Sequence, residues 1–340
     1  MGTSRKFATA GIALGAAAAL GLTGCSGSSA SAGGSSGGKV KLSLVAYSTP
    51  QAAYEKIIAA FQKTPAGKNV EFTQSYGASG DQSRAVAAGL PADVVEFSLA
   101  PDMKRLVDAN LVAPTWDQNQ YKGIVTDSVV AIVTRTGNPK GIKDWPDLIK
   151  PGVEVITPNP FTSGGARWNV MAAYGGTVAE GASDAQAQAY LGTLFKHVPV
   201  QDDSARASLQ TFTGGKGDAL LSYENDAIFA QQNGQAVDYT VPDNTIKIEN
   251  PAAVTSTSKH PTQAKAFLDF LYTDTAQKIF SDNGYRPVVA ADATRTFPTP
   301  SGLFDISKFG GWDAVTTKFF DATNGVLAKI EQGLGVATTK

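Results

Sequence analysis

The sequence predicts an α/β protein with two domains, and three observations support that prediction. Short apolar runs alternate with stretches of helical periodicity, which is typical of α/β architecture. Roughly 300 residues follow a Ser- and Gly-rich N-terminal stretch, a length that suits two domains. Hydrophobic residues make up 42% of the chain, enough for packed cores. A single cysteine allows no internal disulfide, so packing alone must hold the fold.

The predicted strands are short apolar runs bounded by turn residues. The first begins at Val40, and Val40, Leu42 and Leu44 alternate along it, so they face one side of a sheet. The strongly β-branched run at 128–134 is predicted to cross from the first domain into the second, and the run at 246–254 to return. The other strands are predicted at residues 70–74, 93–97, 152–157 and 218–223.

The predicted helices are marked by apolar residues at helical spacing. The first has an apolar face at i, i+3, i+4 and i+7, formed by Tyr54, Ile57, Ile58 and Phe61. Ser48 and Thr49 precede Pro50 at its start, so their hydroxyl groups are expected to cap it. Further helices are predicted at residues 103–107, around Trp168 and Met171, at 187–194, and from Phe267 onward.

The first 25 residues have the pattern of a lipoprotein signal peptide. Arg5 and Lys6 form a positive region, residues 7–23 form an apolar one, and Leu-Thr-Gly precedes Cys25. The alternative is a signal anchor that stays in the membrane, but the apolar run is short and interrupted by glycine. We therefore expect lipidation of the Cys25 sulfur and an anchor on the outer face of the cell membrane or in the periplasm.

Residues 26–39 are predicted to form a flexible tether. Almost all of them are Ser, Gly or Ala, which cannot bury apolar surface. A tether of this length reaches roughly 20 Å, which keeps a folded body near a membrane without docking it. No other stretch of the sequence is long and apolar enough to span a bilayer.

The composition argues against catalysis, metal binding and nucleic-acid binding. The formal net charge of −1 becomes −3 without Arg5 and Lys6 (27 basic against 30 acidic residues), so no basic surface for nucleic acid is expected. His197 and His260, the two histidines, are expected at the surface. There is neither a G-x-S-x-G nucleophile elbow between a strand and a helix nor a Cys/His metal signature. We expect a monomeric binding protein with no catalytic residue, metal or cofactor.

Four turns combine serine or glycine with the expected start of a helix that follows a strand. They lie at residues 48–50, 77–82, 162–168 and 203–206. The first N–H groups of a helix have no partner within it, and together with the helix dipole they can bind an anion. One such turn is most often an ordinary helix cap. Four in one chain, two of them followed by arginine, shift the interpretation towards an oxyanion pocket.

Longer motifs are specific to one protein family. They are GNPKGIKDW at 137–145, IKPGVEVITPNP at 149–160 and SGGARWN at 163–169. Shorter matches are QS at 74–75, SG at 79–80, ADVV at 92–95, GD at 217–218, EN at 224–225 and YRP at 285–287. From about Leu42 to Trp312 the chain closely resembles the bacterial sulfate-binding proteins of ABC importers. Thiosulfate-binding relatives share much of this pattern.

The resemblance implies a two-lobed periplasmic-binding-protein fold of type II, an α/β fold with the ligand in the inter-lobe cleft. Residues 1–25 would be the signal peptide with its lipidation site, and 26–39 the tether. Lobe I would comprise 40–127 and 250–310, lobe II 128–249, and 311–340 would be a C-terminal segment of uncertain lobe. The implied function is to capture sulfate outside the cytoplasm and deliver it to the membrane subunits of an ABC importer.

The resemblance also implies which residues hold a dehydrated sulfate through uncharged donors. The hydroxyl of Ser79 is expected to donate to it, together with the backbone N–H groups of Ser48, Ser163, Gly164, Gly165 and Ala205. Arg167 and Arg206 match arginines that lie behind the binding turns in the family. Without the resemblance, surface ion pairing would be their simpler interpretation.

The chain departs from the family pattern at two positions. Ser48 stands where Asp is frequent, but only the backbone N–H is used there, so this contact should survive. Tyr223 stands where the family has a Trp whose indole N–H donates to the ligand. We expect the phenolic O–H of Tyr223 to replace it; the alternative is a packing residue. Binding of thiosulfate, molybdate or phosphate also stays open, as does, with less support, an extracytoplasmic hydrolase.

Replacing Cys25 with Ala tests the anchor. The variant has no sulfur to carry a lipid, so it should leave the membrane fraction, while the wild-type chain should stay in it. Cell fractionation followed by immunoblotting measures the distribution. Equal membrane retention of the two chains would contradict lipidation at Cys25.

Overall fold

The computed structural model describes residues 38–338, where strands and helices alternate along the chain. The predicted α/β class is confirmed. Within that range the strands are β1 (Val40–Tyr47), β2 (Val70–Gly77), β3 (Val94–Glu96), β4 (Ile124–Arg135), β5 (Val155–Ile156), β6 (Ala219–Tyr223), β7 (Val237–Thr240), β8 (Lys247–Val254) and β9 (Arg286–Pro287).

The α-helices of the same range cover both faces of the strands. They are α1 (Gln51–Phe61), α2 (Ser79–Ala87), α3 (Ala100–Asp108), α4 (Gly164–Ala179), α5 (Asp184–Lys196), α6 (Ala205–Thr213), α7 (Glu224–Gln232), α8 (Pro261–Phe270), α9 (Asp274–Asp282), α10 (Gly311–Val315) and α11 (Val326–Gly333). Short 3-10 helices occur at Trp145–Ile149, Ala290–Asp292 and Ile306–Phe309, and a π-helical turn at Thr316–Phe320.

The strands form one continuous path in the order β2-β1-β3-β8-β4-β6-β5, and β7 and β9 also pair with β4. The pairs β1–β2, β1–β3 and β5–β6 are parallel. The pairs that join the two ends of the path, β3–β8, β8–β4 and β4–β6, are antiparallel. Two groups of parallel strands are therefore connected through β4 and β8.

β4 and β8 are long enough to belong to both groups. The first half of β4 pairs with β8 from Ile124 to Val129, and its second half pairs with β6 from Val130 to Thr134. β8 in turn pairs with β3 through its last three residues. The predicted lobe boundaries at 127/128 and 249/250 fall inside these two continuous strands. They stay a prediction.

Most of the predicted elements are confirmed, with two corrections. The late helix α8 ends at Phe270 rather than beginning at Phe267, because Pro261 supplies its first turn. The expected hydroxyl caps of α1 are wrong as well. Pro50 occupies the cap position without a side-chain hydrogen bond, and the Thr49 hydroxyl instead lies 2.9 Å from the hydroxyl of Tyr285.

A large apolar cluster spans both groups of strands, and each group also has a smaller cluster of its own. Val45 and Val95 pack with Met103 and Leu106 of α3 in the first group. Ile156 and its neighbours pack with α6 in the second. Burying such side chains contributes about 1.5–3 kcal/mol each, an upper estimate because unfolded chains already bury part of their surface. The positions of the strand ends, where the predicted site lies, depend on this packing.

The segment 311–338 packs mainly against α4 and α5. The ring of Trp312 meets that of Trp168 edge-on with 4.7 Å between centroids, and α11 contacts α5. α10 also contacts α3, so the segment touches helices that pack on both groups of strands. No helix within residues 38–338 has the length and hydropathy needed to cross a membrane.

Two glycines in helix interiors provide a matched test of the packing around α4. A Cβ on Gly176 would lie 2.1 Å from Nε1 of Trp145, whose fully buried indole donates to the Asn244 carbonyl at 2.8 Å. A Cβ on Gly192 of α5 would meet no heavy atom within 4 Å. Gly176→Ala should therefore destabilise by about 1–3 kcal/mol, and Gly192→Ala should stabilise by about 0.5–1 kcal/mol.

Urea unfolding followed by circular dichroism measures both variants. Gly192→Ala is the control for the gain in helix propensity that any Gly→Ala change brings. An unfolding free energy of Gly176→Ala equal to or above that of the wild type would contradict the close packing of Trp145 on α4.

Candidate anion-binding site

Three helices begin at residues that the sequence placed in the site. Ser79 opens α2, Gly164 opens α4 and Ala205 opens α6. At α4 and α6 the preceding serine, Ser163 or Ser204, accepts a hydrogen bond from the third helical N–H. The first N–H groups of these helices have no carbonyl partner within the helix, so they are donors for another group.

The three helix starts lie next to one another. The N–H of Gly80 donates to the Thr162 carbonyl at 3.1 Å, which ties α2 to the turn before α4. A Cβ placed on Gly165 would be 3.6 Å from Cβ of Ala205 and 3.6 Å from Cε1 of Tyr223. The predicted residues Gly165, Ala205 and Tyr223 are thus in one place although they are distant in the sequence.

Ser98 connects these elements, and the sequence analysis missed it. Its N–H donates to the Ser79 hydroxyl at 2.9 Å, and its own hydroxyl is 2.5 Å from that of Tyr223. Its carbonyl accepts from the indole of Trp168 at 2.7 Å and from the Asn250 amide at 3.1 Å. Ser98 therefore links α2, α4, β6 and β8 through one buried residue.

A signal for Ser98 was present in the sequence. It directly follows the strand predicted at 93–97, and a proline comes three residues later at Pro101, inside the first turn of α3. The same strand-turn-proline arrangement marked residues 48–50. Position 164 also requires glycine, because a Cβ there would come within 2.8 Å of the Ser98 side chain.

Two of the expected donor atoms are occupied. The hydroxyl of Ser79 donates to Oδ2 of Asp102 at 2.6 Å, so its proton is not directed at a ligand. The N–H of Ser163 donates to the Asn159 carbonyl at 2.9 Å. The Ser163 hydroxyl accepts from Ala166 N–H at 3.3 Å, which leaves its own proton to donate. The available atoms are therefore the N–H of Ser79 and the hydroxyl of Ser163, the reverse of the expectation.

The carboxylate of Asp102 is balanced by an arginine. Nη1 of Arg105 donates to Oδ1 of Asp102 at 2.9 Å and to the hydroxyl of Ser83 at 2.8 Å. The second carboxylate oxygen holds Ser79. This pairing keeps a negative charge close to α2 without leaving it uncompensated.

Ser48 reaches the site from the end of β1. The N–H of Arg206 on α6 points to the Ser48 hydroxyl, with 3.4 Å between the heavy atoms. The guanidinium of Arg206 donates to the Thr49 carbonyl at 2.8 Å and lies 3.8 Å from the ring centroid of Phe229. Its Nη2 is also 3.8 Å from the buried carboxylate of Asp226. Arg206 thus fastens the turn at Ser48 to α6.

Arg167 supports the turn before α4. Its Nε donates to the Pro160 carbonyl at 2.9 Å, and its guanidinium is 5.0 Å from the ring centroid of Phe320. Burial lowers the pKa of Arg167, while the charge of Asp102 opposes that change. Both arginines therefore bond backbone carbonyls of the turns, and these contacts differ from surface ion pairing.

Tyr223 is buried at the centre of the site. It is 1% exposed and its ring centroid is 6.4 Å from that of Tyr47. Burial raises the pKa of Tyr223 well above its usual value, so the phenol is protonated at neutral pH. The hydroxyl pair of Tyr223 and Ser98 has two protons, and only one is needed for the bond between them. The other can be donated elsewhere.

Other sequence predictions concern residues outside the site. His197 and His260 are half-buried rather than exposed, and Nδ1 of His197 lies 2.8 Å from the Val153 carbonyl. Cys25 and most of the tether lie outside the described residues. Within residues 38–338 no group of three His, Cys, Asp or Glu side chains could hold a metal ion.

A double-mutant cycle tests the bond between Ser98 and Tyr223. Ser98→Ala and Tyr223→Phe each leave one buried hydroxyl without this partner, which costs about 1–3 kcal/mol. The double variant removes both hydroxyls, so its destabilisation should be smaller than the sum of the single values by about 1–2 kcal/mol. Urea unfolding of the four proteins gives the coupling, and additive values would contradict the hydrogen bond.

Comparison with known proteins places the chain among relatives over most of its length. The family model for bacterial extracellular solute-binding proteins matches residues 42–286. A sulfate-binding protein from Synechococcus elongatus is 43% identical, and the match covers 98% of each chain. A thiosulfate-binding protein from Pseudomonas aeruginosa is 35% identical, covering 85% of this chain and 92% of the relative.

A solved structure agrees with these relatives. The sulfate-binding protein SubI from Mycobacterium tuberculosis superposes with a TM-score of 0.80 at 44% identity, covering 83% of this chain and 100% of SubI. The predicted two-lobed periplasmic-binding-protein fold is confirmed by this neighbour and by the family match. The chain belongs to the family of bacterial extracellular solute-binding proteins.

Proposed function

We propose that this protein captures sulfate outside the cytoplasm and delivers it to an ABC importer. The observation that carries the proposal is the meeting of three helix N-termini at a buried site formed by uncharged residues. Helix N-termini bind anions through free N–H groups and the helix dipole. Two relatives named as sulfate-binding proteins support sulfate as the anion: one is 43% identical in sequence, and SubI, whose structure is solved, is 44% identical in sequence.

The proposed contacts follow from which atoms are available. The N–H groups of Ser48, Ser79, Gly164, Gly165 and Ala205 donate to the anion, and so do the hydroxyls of Ser163 and Tyr223. This set keeps the seven predicted residues and exchanges the donor atoms at Ser79 and Ser163, because Asp102 and Asn159 occupy the others. Arg167 and Arg206 act indirectly by holding the carbonyls of the turns.

Closure and delivery complete the proposed cycle. The two lobes, with boundaries as predicted at 127/128 and 249/250, close on the anion because residues from both contribute donors. A ligand bound by both lobes favours the closed state by its difference in affinity for the two states. The closed form then presents sulfate to the membrane subunits. The protein acts as a monomer, without catalysis and without nucleic acid.

The proposed location is the outer face of the cell membrane or the periplasm. Lipidated Cys25 anchors the chain and the tether at 26–39 carries the folded body. The family description, bacterial extracellular solute-binding protein, supports a location outside the cytoplasm.

A thiosulfate ligand is the second candidate, because a relative named as a thiosulfate-binding protein is 35% identical over most of the chain.

The proposed site should prefer sulfate to phosphate. At pH 8 sulfate only accepts hydrogen bonds, whereas phosphate still carries a proton, and the backbone N–H groups that make up most of the proposed site cannot accept it. An unpaired buried polar group costs about 1–3 kcal/mol, or roughly 5- to 150-fold in affinity. Calorimetric titration at pH 8 with sulfate, thiosulfate and phosphate compares them. Comparable dissociation constants for sulfate and phosphate would refute a pocket of donors alone.

Tyr223→Phe tests the proposed seventh donor. The change removes only the hydroxyl, and a hydrogen bond to a charged group contributes about 1.5–3 kcal/mol, so sulfate affinity should fall roughly 10- to 150-fold. Ser98→Ala is the matched control, because it removes the partner of Tyr223 and keeps the phenol. Calorimetry with circular dichroism to confirm folding makes the comparison. A loss below about twofold in a folded Tyr223→Phe would leave Tyr223 as a packing residue.

A further inference from the structure

The buried carboxyl group of Glu96 lies two residues before Ser98 of the proposed site, and none of the proposed contacts uses it. Glu96 is the last residue of β3, paired with Ala46 of β1 and Ala252 of β8. It is 0% exposed, and neither of its oxygens forms a hydrogen bond of normal geometry with the described residues. Buried carboxylates are normally paired, so this one needs an explanation.

Several tyrosines lie within electrostatic reach of Glu96. Its charge raises the pKa values of Tyr54 from α1, Tyr47 from β1, Tyr76 from β2, Tyr272 after α8 and Tyr285 before β9. The hydroxyls of Tyr47 and Tyr54 are themselves buried and without an aligned partner. Glu96 therefore sits in a polar pocket with tyrosine hydroxyl groups near it.

This pocket adjoins the site at three points. Glu96 precedes Ser98 by two residues, and Ser98 bonds Tyr223 and Ser79. Tyr47 precedes Ser48 and packs against Tyr223. The Tyr285 hydroxyl is 2.9 Å from that of Thr49, in the same turn as Ser48. A charge on Glu96 would thus be felt at the anion through a low-dielectric interior.

Burial favours the protonated, uncharged form of this carboxyl. Burial raises the pKa of Glu96 to about 8, and the neighbouring Tyr54 hydroxyl offsets only part of that effect. Burial also raises the pKa of Tyr272 to about 12, and it raises those of Tyr47, Tyr54, Tyr76 and Tyr285. Glu96 is therefore the group of this pocket that titrates between pH 7 and pH 9.5.

We propose that Glu96 makes anion binding depend on a proton: the site holds a dianion firmly while this carboxyl is protonated and weakly once it is ionised. The carboxylate and the dianion repel each other, and because both are buried, water screens this repulsion only weakly. The proposal rests on the proposed anion site, since it concerns the strength of binding there.

Linkage fixes the sign of the effect. A bound dianion favours the protonated form of Glu96, so it raises the pKa of that group, and protonation in turn strengthens anion binding by the same factor. Sulfate carries the same charge throughout this pH range, so a change in its affinity reports on the protein. Asp226, which faces Tyr223 and Tyr285 from α7 and is near Arg206, also has a raised pKa. A variant at Glu96 is therefore needed to separate the effect of Glu96 ionisation on sulfate affinity from that of Asp226.

The experiment is a calorimetric titration of the full chain with sodium sulfate at pH 7.0, 8.0, 9.0 and 9.5. A coupling of one pKa unit corresponds to tenfold, so wild-type affinity should fall about tenfold between pH 7 and pH 9.5. Glu96→Gln keeps the shape of the protonated group and cannot ionise. It should bind at pH 7 like the wild type and lose less than about threefold by pH 9.5, a residual loss that is general charge repulsion.

Glu331→Gln is the matched control. Glu331 is also 0% exposed with a pKa raised by burial, but it lies on α11, where the Gln201 amide donates to it. Its variant should keep the pH dependence of the wild type. A flat wild-type profile would overturn the proposal, and so would a Glu96→Gln profile as steep as that of the wild type. Absence of sulfate binding at pH 7 would instead refute the proposed function.

If Glu96→Gln does not fold, a second measurement on the wild-type protein still tests the proposal. Wild-type titrations at pH 8 in two buffers of different ionisation enthalpy report protons taken up with the anion. Uptake of a fraction of a proton is the expected result, because the anion raises the pKa of a half-ionised Glu96. No uptake would overturn the proposal.

Discussion

The proposed burial of a dianion without a countercharge sets the main constraint on this fold. Removing an ion from water is costly, so each of its oxygens must meet a donor that is already in place. Helix N-termini meet this requirement with fixed N–H groups and a favourable dipole. The proposed site depends on three helices that start within a few ångströms of one another, and any movement of one start removes donors from the anion.

The positions of those starts depend on contacts that are remote in sequence. Ser98 joins α2, α4, β6 and β8 through three backbone and side-chain groups. Arg206 and Arg167 hold the carbonyls of two turns. The two long strands β4 and β8 run through both groups of parallel strands. In the proposed closure, these two strands bend as a hinge while the proposed donors of each lobe stay fixed to their own scaffold.

Much of this architecture could be predicted because it depends on local pattern. The apolar face of α1 and the β-branched run of β4 follow directly from residue spacing. The strand β4 is longer than predicted because its ends, Ile124 and Arg135, are stabilised by pairing with β8 and β7, which no local pattern shows. The start of α8 was misplaced because its apolar residues lie in its second half, although Pro261 marked the beginning.

The sequence predicted which residues form the candidate site, but not which of their atoms are free to donate a hydrogen bond. Family motifs identified the turns, whereas the donor at Ser79 depends on Asp102, 23 residues away and in contact only through the fold. Ser98 escaped notice because a lone serine after a strand has many ordinary roles. Glu96 could not have been identified as buried, since a glutamate near the end of a short strand is usually exposed.

In the proposed site, uncharged helix N-termini rather than arginines hold the anion. A crystal structure with selenate, a tetrahedral dianion with anomalous scattering, would show the contacts of the anion. One selenate is expected within hydrogen-bond distance of the N–H groups of Gly164, Gly165 and Ala205 and of the Ser163 hydroxyl. A selenate bound to the guanidinium of Arg167 or Arg206, with those N–H groups out of reach, would contradict it.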